Sequence, residues 1–253
     1  QILDAMVGAL TDPFESYHMG ITAENIAEKW NISREDQDAF AVEAQRRGAE
    51  AVKNGLFKDQ IAPVEIKTRK GVTVVDTDEN PREVTLEKLS GMRPAFKKDG
   101  SATAGNASSI NDGAAAVVLA ERGAAEAKGL KPLARLVGYT VAGVDPQYMG
   151  IGPVPAIKQL LANTGVSKDD IDLWELNEAF AAQALAVVRD LELDPAKVNP
   201  NGSGIALGHP IGATGAILTV KSVYELQRTG GRYAVVSMCI GGGQGIAALF
   251  ERI

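Results

Sequence analysis

The chain has 253 residues, 45% hydrophobic, 23% charged and 5% aromatic, an ordinary globular composition with room for one large domain or two smaller ones. Its 26 lysines and arginines against 32 aspartates and glutamates leave a formal charge of −6, which argues against a nucleic-acid binder. One cysteine excludes an intrachain disulfide and suits a reducing compartment; one cysteine and two histidines also fall short of the usual zinc ligand set.

The chain opens on Gln1 inside a helical pattern of Ile2, Leu3, Met6 and Leu10. No charged leader precedes an apolar run there, and the natural start is expected upstream. Thr22 is expected to open a short helix with Ile26 and Trp30 on one face. Ser33-Arg34-Glu35-Asp36 reads as the start of a longer helix, striped by Phe40, Ala44, Ala51 and Val52 and ended by Gly55. Val64, Ile66, Val72 and Val74 suit small strands, and 76–93, with Pro81, reads as surface loop. Beyond about residue 110 apolar elements dominate. A continuous buried strand is expected over 114–120, and further strands over 133–142, 171–176, 233–238 and 246–251. Helices are expected over 155–163, 179–190 and 212–227, giving an α/β layered sheet. No apolar run reaches the ~18 residues of a membrane span.

Glycine is concentrated in two places, five of the fourteen residues in 202–215 and four of the five in 241–245. Such clusters serve either as turns or as backbone brought close to a ligand. The first holds His209-Pro210, placed by the proline at a helix N-terminus. Cys239 closes a strand and runs into the second, a position for a small buried hydrophobe or for a thiol beside exposed N–H groups. Asn177 stands at a strand-to-helix junction as a helix cap or a site residue. All three follow or end elements where open α/β sheets place their sites, so they are expected to converge.

Taken together, NEAFAAQA at 177–184, NGSGIALGHPIGATG at 201–215 and SMCIGGGQG at 237–245 resemble the thiolase family. HMGITAENIA at 18–27, RPAF at 93–96 and TAGNASSINDGAAA at 103–116 extend the likeness over essentially the whole chain. Within the family the chain looks most like bacterial acetoacetyl-CoA and broader β-ketothiolases. The resemblance implies an αβαβα layered fold of two similar halves, mixed sheets with helices on their faces, and an inserted loop domain. Residues 1–110 would be that loop domain with the coenzyme A region, 111–131 the end of an incomplete first half, and 132–253 the second half.

The resemblance also implies acyl-CoA C-acyltransferase chemistry with coenzyme A thioesters as substrates (acetyl-CoA, acyl-CoA or 3-ketoacyl-CoA), no other cofactor and no metal. Cys239 matches the family's acid/base cysteine, while its acylated cysteine has no counterpart in this sequence. His209 would activate that nucleophile, Asn177 would fix a water, and the Gly241 N–H would help hold an oxyanion. His18, Met19, Phe96, Ser108, Met149 and Phe180 would flank the pantetheine, and Arg82, matched after a one-residue gap, the nucleotide. Core packing is the competing account of Phe96, Phe180 and Met149. A cytoplasmic homo-oligomer, tetramer or dimer, is expected, with no nucleic-acid or membrane partner. A ketoacyl-synthase-like condensing enzyme and a non-catalytic CoA-binding module are the alternatives; Asn177-Glu178, where the synthase type has a histidine, counts against the first.

Overall fold

A computed structural model describes residues 2 and 4–253, so Leu3 of the opening helical pattern lies outside them. The helix α1 (Ala5–Ala9) is capped by Asp4, whose carboxylate accepts from the N–H groups of Met6 and Val7. The next helix, α2 (Met19–Lys29), starts three residues before the expected Thr22, because the His18 ring, not a hydroxyl, caps it. Ile26 and Trp30 still share the packed face, with Ala186 beneath them. Ser33 caps α3 (Arg34–Lys53) as expected, and Gly55 at φ +68° follows its end. The expected strands form the hairpin β1 (Val64–Thr68) and β2 (Gly71–Val75), exposed along its whole length.

Two expectations are corrected in this region. The presumed loop at 76–93 contains α4 (Leu86–Ser90), capped by Thr85. Leu89 is its reason: it is 2% exposed and packs with Ala41, Ala44, Ala181 and Ile205, a burial that stabilises by about 1.5–3 kcal/mol. The presumed buried strand at 114–120 is not formed, and all seven residues are exposed. Apolar sequence supplies the propensity for a strand, but a strand exists only where another strand receives its N–H and C=O groups. No described strand runs beside this segment, and α5 (Arg122–Ala127) follows it.

The remaining expectations for the second half hold to within a few residues. In chain order come β3 (Ala134–Gly143), α6 (Pro153–Thr164), β4 (Leu173–Leu176), α7 (Ala181–Asp190), α8 (Gly204–Leu207), α9 (Thr214–Thr229), β5 (Tyr233–Ile240) and β6 (Gln244–Arg252). The helices α6 and α9 each end on a left-handed glycine, Gly165 and Gly230. The four strands form one mixed sheet in the order β3-β6-β5-β4, with β4 and β5 parallel and the other pairs antiparallel. Its main core joins Ile157, Leu160, Ile171, Trp174, Leu176, Val187, Val235 and Leu249 from α6, α7, the sheet and the segment leading into β4. Leu218 of α9 packs on Val236 and Phe250, a separate apolar cluster of the sheet.

Close backbone approach fixes where the strands β5 and β6 turn. A Cβ on Gly245 would lie 2.0 Å from the Gly152 carbonyl carbon, and one on Gly152 would lie 2.2 Å from the Gln244 oxygen. Gly245 is also the cross-strand partner of Cys239. The start of α6 is thus held against the strand pair that carries the cysteine, at a spacing only glycine permits.

Candidate active site

The parallel pair β4–β5 sets the site. Leu176 is in register with Ser237, and the Asn177 N–H donates to the Ser237 carbonyl at 2.9 Å. Asn177 therefore leaves the carboxyl end of β4 beside the segment that reaches Cys239 two residues later. Asn177 is 1% exposed and does not cap α7, whose N-cap is Phe180 without a side-chain bond. Its amide nitrogen instead lies 3.3 Å from His209 Nε2. The amide oxygen of Asn177 is buried without a partner.

His209 is not at the start of a helix, which corrects the reading of His209-Pro210. It lies between α8 and α9, and residues 211–213 form turns before α9 begins at Thr214. A proline can open a turn as readily as a helix, since both use φ near −65°. The loop is held by side chains distant in sequence. Asn111 Oδ1 accepts from the His209 N–H at 3.2 Å and from Ser109 Oγ at 2.8 Å, while Asn80 Nδ2 donates to the Ala206 carbonyl at 2.7 Å. The His209 ring bonds Thr214 Oγ1 through Nδ1 at 2.6 Å. Burial lowers the His209 pKa, so the imidazole is neutral at pH 7.

Most residues expected to flank a pantetheine meet in one apolar cluster. Met19, Met149 and Phe180 are buried in it together with Ala23, Ala107 and Ala179, and Phe96 and Cys239 pack against it part-exposed. The His18 ring stacks on Phe96 with centroids 4.8 Å apart, and Phe96 meets Phe180 edge-on at 5.7 Å. His18 Nδ1 accepts from the Gly20 N–H, so the proton of the neutral ring sits on Nε2, and burial lowers the pKa of this ring too. Ser108 is tied to the same place by its N–H, which donates to the Ala179 carbonyl at 3.0 Å. Gly241 completes the wall, since a Cβ there would lie 2.6 Å from Met19 Cε. Arg82 is not in this cluster. It is exposed, and its backbone N–H donates to Gln45 on α3.

Burial pushes the Cys239 thiol up to about 12, so the strand end holds a protonated thiol and not a ready thiolate. Glu178, next to Asn177, entered the sequence reading only as part of the Asn177-Glu178 pair, and its buried contacts had no sequence signal. Its carboxyl is buried, accepting from Asn199 Nδ2 at 2.8 Å and from the Ile205 N–H at 3.3 Å. Burial raises its pKa from 4.5 to about 7. The folded state thus holds this proton more tightly than the unfolded chain. The stabilisation is complete below pH 4.5 and is lost as pH rises through about 7. The thermal midpoint should fall across that window, and Glu178→Gln should flatten the fall. A variant with the slope of the unmodified chain would exclude Glu178 as its source.

Residues 1–123 match the family model for the thiolase N-terminal domain, and residues 130–252 match that for the thiolase C-terminal domain. The chain belongs to the thiolase family. It is 61% identical over 254 aligned positions to the β-ketothiolase BktB of Cupriavidus necator, a match covering all of this chain and 64% of that protein. The crystal structure of the Bacillus anthracis acetyl-CoA acetyltransferase superposes with a TM-score of 0.97 at 52% identity, covering 100% of this chain and 64% of that one. Human mitochondrial 3-ketoacyl-CoA thiolase in complex with CoA superposes with a TM-score of 0.93 at 46% identity, covering 100% and 63%. This thiolase chain therefore spans about 64% of the length of the curated relatives it matches. Among its described residues no helix is long and apolar enough to cross a membrane, and no cluster of three or more metal-binding side chains occurs.

Proposed function

We propose that the full-length protein is a β-ketothiolase, exchanging acyl groups between coenzyme A thioesters through reversible carbon–carbon bond formation. The observation that supports this most is the convergence of the Cys239 thiol with Met19, Phe96, Met149 and Phe180 beside the loop that pairs Asn177 with His209. An apolar slot fits the uncharged pantetheine arm, and the polar groups lie at the strand ends where its thioester would stop.

The chemistry falls to side chains and backbone. A second thiol, which residues 1–253 do not supply, would attack the keto carbon of a 3-ketoacyl-CoA. His209 would accept that thiol's proton at Nε2. The carbon–carbon bond then breaks, its electron pair passing to acetyl-CoA as an enolate held by His209 and by a water on Asn177. Cys239 would donate its proton to the enolate carbon, and free coenzyme A would finally take the acyl group from the second thiol. The Gly241 N–H is assigned to the tetrahedral oxyanion. Condensation is the same sequence reversed.

The test is to incubate the full-length protein with acetoacetyl-CoA and coenzyme A and to measure acetyl-CoA. We expect thiolysis, with His209→Ala lowering kcat by about 10²–10⁴-fold, as for removal of a general base. Condensation that required malonyl-CoA would favour the ketoacyl-synthase reading, and binding of coenzyme A without turnover the non-catalytic module.

A further inference from the structure

We propose that Thr214 is a positioning residue that holds His209 in the one neutral tautomer able to receive a proton at Nε2. The proposal rests on the β-ketothiolase reading for its kinetic consequence, but its structural content stands on the hydrogen bonds themselves. Thr214 is 3% exposed at the first position of α9, and its hydroxyl has a single hydrogen. That hydrogen is assigned to the Pro210 carbonyl, 2.9 Å away, which also accepts from the Thr214 N–H. On that assignment the 2.6 Å contact between Thr214 Oγ1 and His209 Nδ1 is donation from Nδ1–H to the hydroxyl oxygen. In a neutral imidazole a proton on Nδ1 leaves Nε2 as the acceptor.

The far side of the ring agrees with this assignment. Asn177 Nδ2 faces Nε2 at 3.3 Å and can only donate. With the amide and the hydroxyl so assigned, the other tautomer would aim Nε2–H at the Asn177 amino group and Nδ1 at a hydroxyl committed to Pro210. The rotation of the ring is fixed by the same pair of contacts. When a thiol gives up its proton to Nε2, the S–H bond breaks, the N–H bond forms in place of the long 3.3 Å contact from Asn177, and the resulting imidazolium keeps its Nδ1–H bond to Thr214. Position 214 is thus expected to alter turnover without touching substrate.

The experiment compares Thr214→Val and Thr214→Ser in the full-length protein. The valine variant should lose about 10–100-fold in kcat, the scale known for the partners that orient metal-bound histidines, with KM within about twofold. The serine variant should stay within about threefold of the unmodified protein, because the hydroxyl is kept. Should valine disturb the fold, Thr214→Ala removes the hydroxyl without added bulk and carries the same comparison. Independently, nitrogen-15 histidine spectra of the unmodified protein should show a protonated Nδ1 and an unprotonated Nε2 at His209. An unprotonated Nδ1, an unchanged kcat in the valine and alanine variants, or equal losses in valine and serine would each overturn the proposal. An unmodified protein without thiolytic activity would overturn the β-ketothiolase reading instead, and the spectra would still judge Thr214.

Discussion

Cys239→Ser in the full-length protein is expected to lower the rate of acetoacetyl-CoA thiolysis by about 10²–10⁴-fold, the range for loss of a positioned general acid. The thiol lies against Met19, Ala23, Met149 and Phe180, an environment that penalises charge and drives its pKa up to about 12. At pH 7 it therefore carries its proton, which is the form thiolysis requires when the departing enolate must be protonated. A serine hydroxyl is a much weaker acid than a thiol, and the shorter C–O bond draws the proton back toward β5. Condensation should suffer at least as much, because there the group must give up its proton first and burial already opposes the thiolate. The two side chains differ little in volume, so the thermal midpoint should move far less than the rate. A serine variant with near-normal kcat in both directions would remove Cys239 from the proton-transfer step.

How far the sequence already disclosed this arrangement depends on how local each signal is. The helix α3 was legible from Ser33 and Gly55, and α6 from Gly165, because caps are short-range chemistry. The convergence of Asn177 and Cys239 was legible because both sit at ends of strands that strict apolar patterning reveals. The segment 114–120 misled for the opposite reason, since whether apolar residues become a strand depends on a partner their own pattern does not contain. Leu89 was hidden in a charged stretch, and only its contact with Ala41 and Ala44 explains why a helix forms there. His209 was found but misplaced against α9, as proline fits both turns and first helical turns. The partners that orient the site were invisible: Asn111 reaches the His209 backbone across 98 residues, and Asn199 reaches Glu178 across 21. Polar side chains with long-range partners leave no periodic trace.

The largest stability effect is expected for Lys221→Met. Lys221 and Glu175 are 5% and 0% exposed at their side chains and meet at 2.8 Å, and Lys221 Nζ also donates to the Gly202 carbonyl at 2.5 Å. Burial raises the Glu175 pKa, and Lys221 is the main influence lowering it again. Methionine fits the volume of the lysine stem but leaves a buried carboxylate without its cation and a carbonyl without its donor. Breaking one partner of such a pair costs about 3–5 kcal/mol, so denaturant unfolding of the Lys221→Met chain should show a loss of that size at pH 7. Glu175 then has an escape in protonation, so its folded pKa rises further. The loss should shrink as pH is lowered and be recovered most fully below the ordinary carboxylate range. Adding Glu175→Leu should restore most of the lost stability, because it removes the unpaired carboxyl and leaves only the Gly202 carbonyl short of a donor. Equal instability in the single and double variants would show that the pair is not what holds this region. Glu175 lies two residues before Asn177 on β4, and Lys221 seven residues after Thr214 on α9. The ion pair thus ties the strand that ends at the amide to the helix that starts at the hydroxyl, the two groups between which the His209 ring is held. Because the double variant restores stability without the polar tie, any activity it still lacks would measure how much this pair contributes to aligning that ring.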